Sequence, residues 1–358
     1  MESYYAKQLE CLCSQVRPGD REAMEASKRH WNKIAKPLDG LGRMEDLLVK
    51  IAGVVRSEKL CLERKAVVVF CADNGVVAEG VTQTGSEVTA VVTENIARGI
   101  ASVNRMASVA GADVIPIDVG VKGRLQETGI RNCRIADGTA NLLHEPAMTM
   151  EQTLEAIHTG IALAGELKDS GYDLLAVGEM GIGNTTTSSA IASVMLEQPP
   201  EAVTGRGAGL SGEGLKRKID AIKRAVKLNE PDPSDPVDVL AKVGGLDIAG
   251  MAGVFLGGAV YGIPVVMDGF ISCVSALIAM RICPAARDYI LASHVSKEPA
   301  AHLILENMGK EAIIHADMCL GEGTGAVALF PILDLAAAVY HSMSTFNDIH
   351  VEQYEELK

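Results

Sequence analysis

Aromatic residues are the first shortage: Phe, Tyr and Trp together make up 4% of the 358 residues, with a single Trp. That is too few for an aromatic-rich β-sandwich core or for a surface on which nucleobases stack. Positive charge is also short. A formal net charge of −13 and a pI near 5.1 exclude non-specific binding to nucleic acid or to an anionic membrane, although local amides and a few cations can still hold a small anion. Cysteines stand at positions 11, 13, 61, 71, 133, 273, 283 and 319, with no Cys-x-x-Cys and no His near them at metal-ligand spacing. Buried thiols in a reducing cytoplasm are the reading, and no metal site is expected. Met1–Asp20 carries charges throughout and has no signal-peptide core. One uncharged run, Ile248–Val266, has ~19 residues and could cross a bilayer. Five glycines and Pro264 interrupt that run, and Asp247 and Asp268 close it, so a buried helix followed by a buried strand is expected.

What is abundant is glycine, at 36 residues, set among Ala, Val and Leu. The length suits one large domain or two, at roughly 100 to 200 residues each. The first sixty residues read as helical, and Leu41, Met44, Leu47, Leu48, Ile51, Val54 and Val55 recur at a helix period. Ala66–Cys71 is a short β-branched run ending in Ala72-Asp73-Asn74-Gly75, the pattern of a buried parallel strand with polar residues at its carboxyl end. The theme repeats at Asp113–Val119, Leu174–Val177, Pro264–Met267 and Tyr289–Ala292. Helix-length segments lie between: Ser86–Ala110, Thr149–Leu167 with a Thr149/Gln152 capping box, Asn184–Leu196 and Cys273–Ile282. Alternating strands and helices predict an α/β fold with a mainly parallel sheet, whose ligands collect at the strands' carboxyl ends. Pro231–Pro236 is too short for a linker and reads as a rigid turn.

The polar motifs cluster at those strand ends. Gly178-Glu179-Met180-Gly181-Ile182-Gly183-Asn184-Thr185-Thr186 follows a strand and opens a helix. Its glycines admit a ligand to the backbone, and unpaired N–H groups at a helix start suit a phosphate. It is neither a P-loop nor G-x-G-x-x-G, and a plain glycine turn capped by Asn184 or Thr185 remains open. Gly205-Arg206-Gly207-Ala208-Gly209 leads to Lys216, Arg217 and Lys218, an island of cations. It suits a phosphate or carboxylate, while a solvated helix face is the better reading for Lys216 and Arg217. In Leu320-Gly321-Glu322-Gly323-Thr324-Gly325 a carboxylate flanked by glycines precedes the long apolar helix Ala326–Tyr340. Two readings stand: a general base raised in pKa by burial, and the commoner one, an acid stabilising a helix N-terminus. His294, in Ser293–Glu298, is a lone His with no assigned acid partner, which favours a structural role.

Taken in order, these segments resemble the nicotinate-nucleotide:dimethylbenzimidazole phosphoribosyltransferase family of cobamide biosynthesis. The matching pieces are Lys36–Arg43, Ala72–Val76, Gly178–Thr186, Gly205–Lys218, Gly244–Ala249, Asp268–Ser272, Ser293–Glu298 and Leu320–Gly325. The resemblance implies a Rossmann-like large domain, residues 61–325, and a small helical domain from both chain ends, 1–60 with 326–358. It implies a cytoplasmic dimer, of two copies or with a paralogous subunit. The reaction implied moves the 5-phosphoribosyl group of nicotinate mononucleotide to the nitrogen of an aromatic base, inverting C1′ to give an α-ribotide. Glu322 matches the general base; Glu179, Gly181, Ile182, Gly183, Asn184, Thr185 and Lys218 match the nucleotide site, and Ser296 and Asp268 lie in matched active-site segments. No cofactor is implied. No metal clamp is needed either, because no pyrophosphate leaves.

Departures from the family pattern concern the acceptor. Where relatives carry Ser-Pro or an aromatic-Pro pair and then a Gln facing the base, this chain has Thr82-Gln83-Thr84-Gly85 and Val91-Val92. Asn74 replaces the usual His, and Ala300-Ala301 a usual Gly-His. The acceptor pocket is therefore expected to be apolar and formed partly by Thr84, Val88, Val91, Val92 and Leu320. Dimethylbenzimidazole is the default acceptor; adenine, or a phenol activated by a paralogous pair, is the alternative. A non-catalytic nucleotide-binding subunit is the remaining reading, and retention of Glu322 weighs against it.

Overall fold

The computed structural model describes residues 4–354; the outermost ends of the expected small domain, residues 1–3 and 355–358, lie outside the described residues. Six strands form one sheet: β1 (Lys65–Ala72), β2 (Ala112–Gly120), β3 (Arg131–Asn132), β4 (Leu174–Met180), β5 (Val265–Met267) and β6 (Ile290–Ala292). Their order is β3-β2-β1-β4-β5-β6, and every pairing is parallel. This is the doubly wound α/β arrangement expected, and it places the switch point between β1 and β4. All eight residues of β1 are buried. Ala66, Val68, Phe70 and Ala72 face one core cluster and Val67, Val69 and Cys71 the other, so the alternation of a strand feeds two helical layers at once.

The amino-terminal helices are α1 (Tyr4–Gln15), α2 (Arg21–Lys33) and α3 (Arg43–Val55). Asp20 Oδ1 caps α2 by accepting from Ala23 N at 2.9 Å. The segment Ser86–Ala110, expected as one helix, is two: α4 (Glu87–Ala97) and α5 (Ser102–Ala110). Gly99 takes φ +75° there, a left-handed turn that frees the amino terminus of α5. Next come α6 (Met150–Asp169), α7 (Asn184–Met195), α8 (Pro200–Val203), α9 (Gly212–Asn229), α10 (Pro236–Val243), α11 (Leu246–Tyr261), α12 (Phe270–Ile282), α13 (Ala300–Met308) and α14 (Thr324–Ser342). The capping box of α6 is present: Thr149 Oγ1 accepts from Gln152 N at 3.1 Å, and Gln152 Oε1 from Thr149 N at 2.9 Å.

The uncharged run from Ile248 becomes a buried helix and then β5, as expected. A Cβ on Gly253 would collide with the carbonyl oxygen of Ile157, and one on Gly160 with that of Gly250. Glycine therefore lets α11 and α6 touch backbone to backbone, and the run needs no lipid to explain its composition. Among the described residues, α14 alone has the length and hydropathy to cross a membrane, and half of it is buried inside the protein. Ala326, Val327, Leu329 and Phe330 of α14 join the same core cluster as Val67, Val69 and Ala176 of the sheet.

Candidate active site

The carboxyl ends of β4, β5 and β6 open on one cavity of about 180 Å³, lined by Glu179–Thr185, Gly207, Lys218, Asp268, His294, Ser296, Glu298 and Leu320 among others. At its base Asn184 bridges two buried acids. Its Nδ2 donates to Glu179 Oε2 and, at 2.9 Å, to Asp247 Oδ2. Burial is the largest cause raising both carboxyls. Asp247 is pushed up to about 6. Glu179 is raised well above the usual carboxylate range, with repulsion from Asp247 adding to burial. Gly183, not Asn184 or Thr185, precedes the first turn of α7, at φ +96° and with no side-chain cap. The expected capped turn is thus absent, and the side chains named as caps serve the site: Thr185 Oγ1 accepts from Lys218 Nζ at 2.8 Å.

Lys218 is fully buried whereas Lys216 and Arg217 are exposed, so a single inward helix position separates site cation from solvated face. Its Nζ also donates to Gly205 O at 3.3 Å. Burial lowers its pKa to about 8. Of the backbone amides from Gly181 to Thr185, Ile182 N donates to Thr89 Oγ1 at 3.2 Å and Asn184 N to Gly181 O at 3.1 Å.

Asp268 lies at the end of β5. Its Oδ1 accepts from Gly325 N at 2.7 Å and Ala326 N at 3.1 Å, its Oδ2 from Gly323 N at 3.1 Å. It is the anion that holds the amino terminus of α14. That frees Glu322 from the capping role of its own helix. Gly321, Glu322 and Gly323 have φ of +92°, +61° and +89°, and a non-glycine residue in that region carries ~1 to 3 kcal/mol of strain. Glu322 is not among the residues lining the cavity, and its carboxylate reaches α5, where Oε2 accepts from Val103 N at 3.1 Å. Burial raises its pKa and that amide opposes the rise. His294 is buried, with Nδ1 3.8 Å from Asp268 Oδ1 and 3.2 Å from Ser293 Oγ. It supports the α14 turn so closely that a Cβ on Gly325 would overlap its ring.

Residues 16–351 match the family model described as phosphoribosyltransferase. The nicotinate-nucleotide–dimethylbenzimidazole phosphoribosyltransferase of Acetivibrio thermocellus is 46% identical, over 94% of this chain and 95% of that one. Its namesake in Clostridium acetobutylicum is 42% identical, over 98% and 99%. The chain belongs to this phosphoribosyltransferase family. The crystal structure of CobT from Thermus thermophilus superposes with a TM-score of 0.88 at 40% identity, covering 93% of this chain and all of that one.

Thr84 and Leu320 do line the cavity, but Val88, Val91 and Val92 do not. The inward face of α4 is Thr89, Thr93 and Ile96, spaced i, i+4, i+7, which turns Val91 outward to 57% exposure and leaves Val92 half-buried against the second core. Ser296 is buried and lines the cavity. Two residues escaped the sequence reading. Asp247 looked like the end of an apolar run, and its place in the first turn of α11 was the available signal. Glu298 ended a quoted motif, yet its carboxylate faces the Gly205–Gly207 loop, where Oε1 accepts from Gly207 N at 3.1 Å.

Proposed function

We propose that this chain transfers the 5-phosphoribosyl group of nicotinate mononucleotide to the nitrogen of an aromatic base, yielding an α-ribotide for cobamide assembly in the cytoplasm. The phosphate sits by Lys218 and the start of α7, and the ribose extends toward Glu179 and Asp268. Nicotinate leaves a pyridinium nucleotide as a neutral ring, so no acid is required at the leaving nitrogen. Positive charge developing on the ribose is stabilised by the neighbouring buried carboxylates, which are worth more in a water-poor site than in solution. The attacking base loses a proton, and Glu322 accepts it. The observation that carries this reading is the strained, glycine-flanked conformation of Glu322. Among the described residues this acid is held by the Val103 amide and by no ion pair, and strain at such an acid belongs to function more readily than to stability.

The purified chain incubated with nicotinate mononucleotide and 5,6-dimethylbenzimidazole should release nicotinate and form one α-ribotide per nicotinate. Absence of release with any benzimidazole, purine or phenol, alone or with a co-purified paralogue, would overturn the proposal. A relaxed acceptor range is a second reading, favoured by apolar, exposed Val91 where the family usually places Gln. The working unit in this proposal is a dimer, of two copies or with a paralogue. Val109 of α5 and Leu335 of α14, apolar yet 85% and 64% exposed on adjoining helices, support such a face.

A further inference from the structure

Glu298 has no part in the chemistry above, yet its carboxylate stands where an anion is expected. It lies on the segment between β6 and α13. Oε1 accepts from Gly207 N at 3.1 Å, while Oε2 is buried with no hydrogen-bond partner among the described residues. That orphaned oxygen faces Gly205 so closely that an added Cβ there would overlap it. The same glycine loop supplies the carbonyl bonded by Lys218, and the carboxylate of Glu298 favours the charge of that otherwise desolvated ammonium. A loop amide and a buried ammonium are the donor types a phosphate uses.

A carboxylate oxygen buried without a donor is unfavourable. It is understandable in a subsite built to hold more anion than a side chain supplies. We propose that Glu298 is a resident anion: its carboxylate occupies part of the phosphate subsite in the ligand-free chain and leaves Gly207 when a phosphate arrives, so that it sets nucleotide affinity. This rests on the placement of the phosphate beside Lys218. Both anions cannot own the Gly207 N–H, and two like charges a few ångströms apart in a buried pocket repel strongly. Exit is open to Glu298, because its neighbours Lys297 and Pro299 are exposed. The arrangement keeps Lys218 charged and the glycine loop ordered while empty. It also selects for dianionic ligands, since a nucleoside without phosphate has nothing to displace the carboxylate with.

Inorganic phosphate is the probe, titrated calorimetrically into the unaltered chain and into Glu298→Gln and Lys218→Ala. Gln keeps an acceptor for Gly207 N and removes the charge, so phosphate should bind about tenfold more tightly, whereas loss of a merely structural contact would weaken it. Lys218→Ala should weaken it. Unchanged or weaker binding in Glu298→Gln, with the lysine effect present, overturns the resident anion and leaves the phosphate placement standing. No effect of Lys218→Ala overturns the placement and the resident anion with it. Should Glu298→Gln fail to fold, crystals of the unaltered chain soaked in phosphate decide: the Gly207 N–H should donate to phosphate with Glu298 moved off it, and an unmoved Glu298 refutes the proposal.

Discussion

Glu322 Oε2 accepts a hydrogen bond from the backbone N–H of Val103, 219 positions earlier in the chain, at 3.1 Å. The amino terminus of α5 thereby positions the proposed general base, and the break at Gly99 that created this terminus gains a functional reading. Burial raises the Glu322 pKa, so kcat/KM should climb with pH as the acid ionises. Glu322→Gln keeps the shape and an acceptor for Val103 N but removes basicity, and turnover should drop about 100-fold or more. The same substitution should abolish the acid limb of the pH profile. Near-normal turnover in a variant with an unchanged circular dichroism spectrum would remove Glu322 from the mechanism.

Lys218 sets the other side of the pH profile. Its pKa, lowered by burial to about 8, means that kcat/KM for the nucleotide should fall as pH rises through that value. Lys218→Ala should weaken nucleotide binding by about 1 to 3 kcal/mol, the cost of losing a hydrogen bond to a charged group. Lys218→Arg keeps the charge at every accessible pH and should erase the basic limb even if KM is worse. A basic limb surviving in the Arg variant would assign it to another group.

Asp247 predicts a pH dependence of stability rather than of rate. Its folded pKa, about 6, lies above the ordinary 3.8 because of burial. The folded state therefore holds a proton that the unfolded state releases, and stability is lost as pH rises from about 4 through about 6. Asp247→Asn is insensitive to this titration. Relative to the unaltered chain it should gain roughly 2 kcal/mol between about pH 4.5 and about pH 7, read from urea midpoints. An offset that is the same at both pH values would show that Asp247 is not protonated in the fold.

The contrast between elements shows what the sequence could carry. β1 was legible from Ala66–Cys71 because a strand buried on both faces has to be uniformly apolar, and the polar Asp73-Asn74-Gly75 marked its carboxyl end. β3 was not, since two edge residues carry no period. The α4–α5 break was missed because a glycine inside a helical pattern is usually tolerated. Lys218 could not be separated from Lys216 and Arg217 without the packing of α9. Glu322 was visible through its flanking glycines, but the reading that it caps the following helix failed for a tertiary reason: Asp268, from another strand, already holds those amides. The pairing of Glu322 with Val103 depends on the sheet order, which no local pattern encodes.

The acceptor side can be tested by separating Val91 from Val92, which the sequence treated as a pair. The Glu322 carboxylate is bonded to the start of α5, and α4 is the helix that precedes it. On α4, Val91 is 57% exposed whereas Val92 packs on the core. Val91→Gln should therefore be tolerated and should supply the polar group that relatives use on the base. Val92→Gln should instead bury an amide without a partner and destabilise the fold by about 1 to 3 kcal/mol. The proposed acceptor pocket, if it lacks a polar anchor, holds the ring by shape and dispersion alone, and an apolar pocket separates close analogues by only about 1 to 3 kcal/mol. Several acceptors should then be used, a phenol among them. A phenol must lose its proton as it attacks and an azole nitrogen only afterwards, so the phenol depends more heavily on Glu322. Competition between equal amounts of dimethylbenzimidazole, adenine and a phenol, with products resolved by chromatography, should give a mixture with the unaltered chain and a shift toward the benzimidazole with Val91→Gln. A strong native preference for dimethylbenzimidazole that Val91→Gln leaves unchanged would mean that residues other than those of α4 read the base.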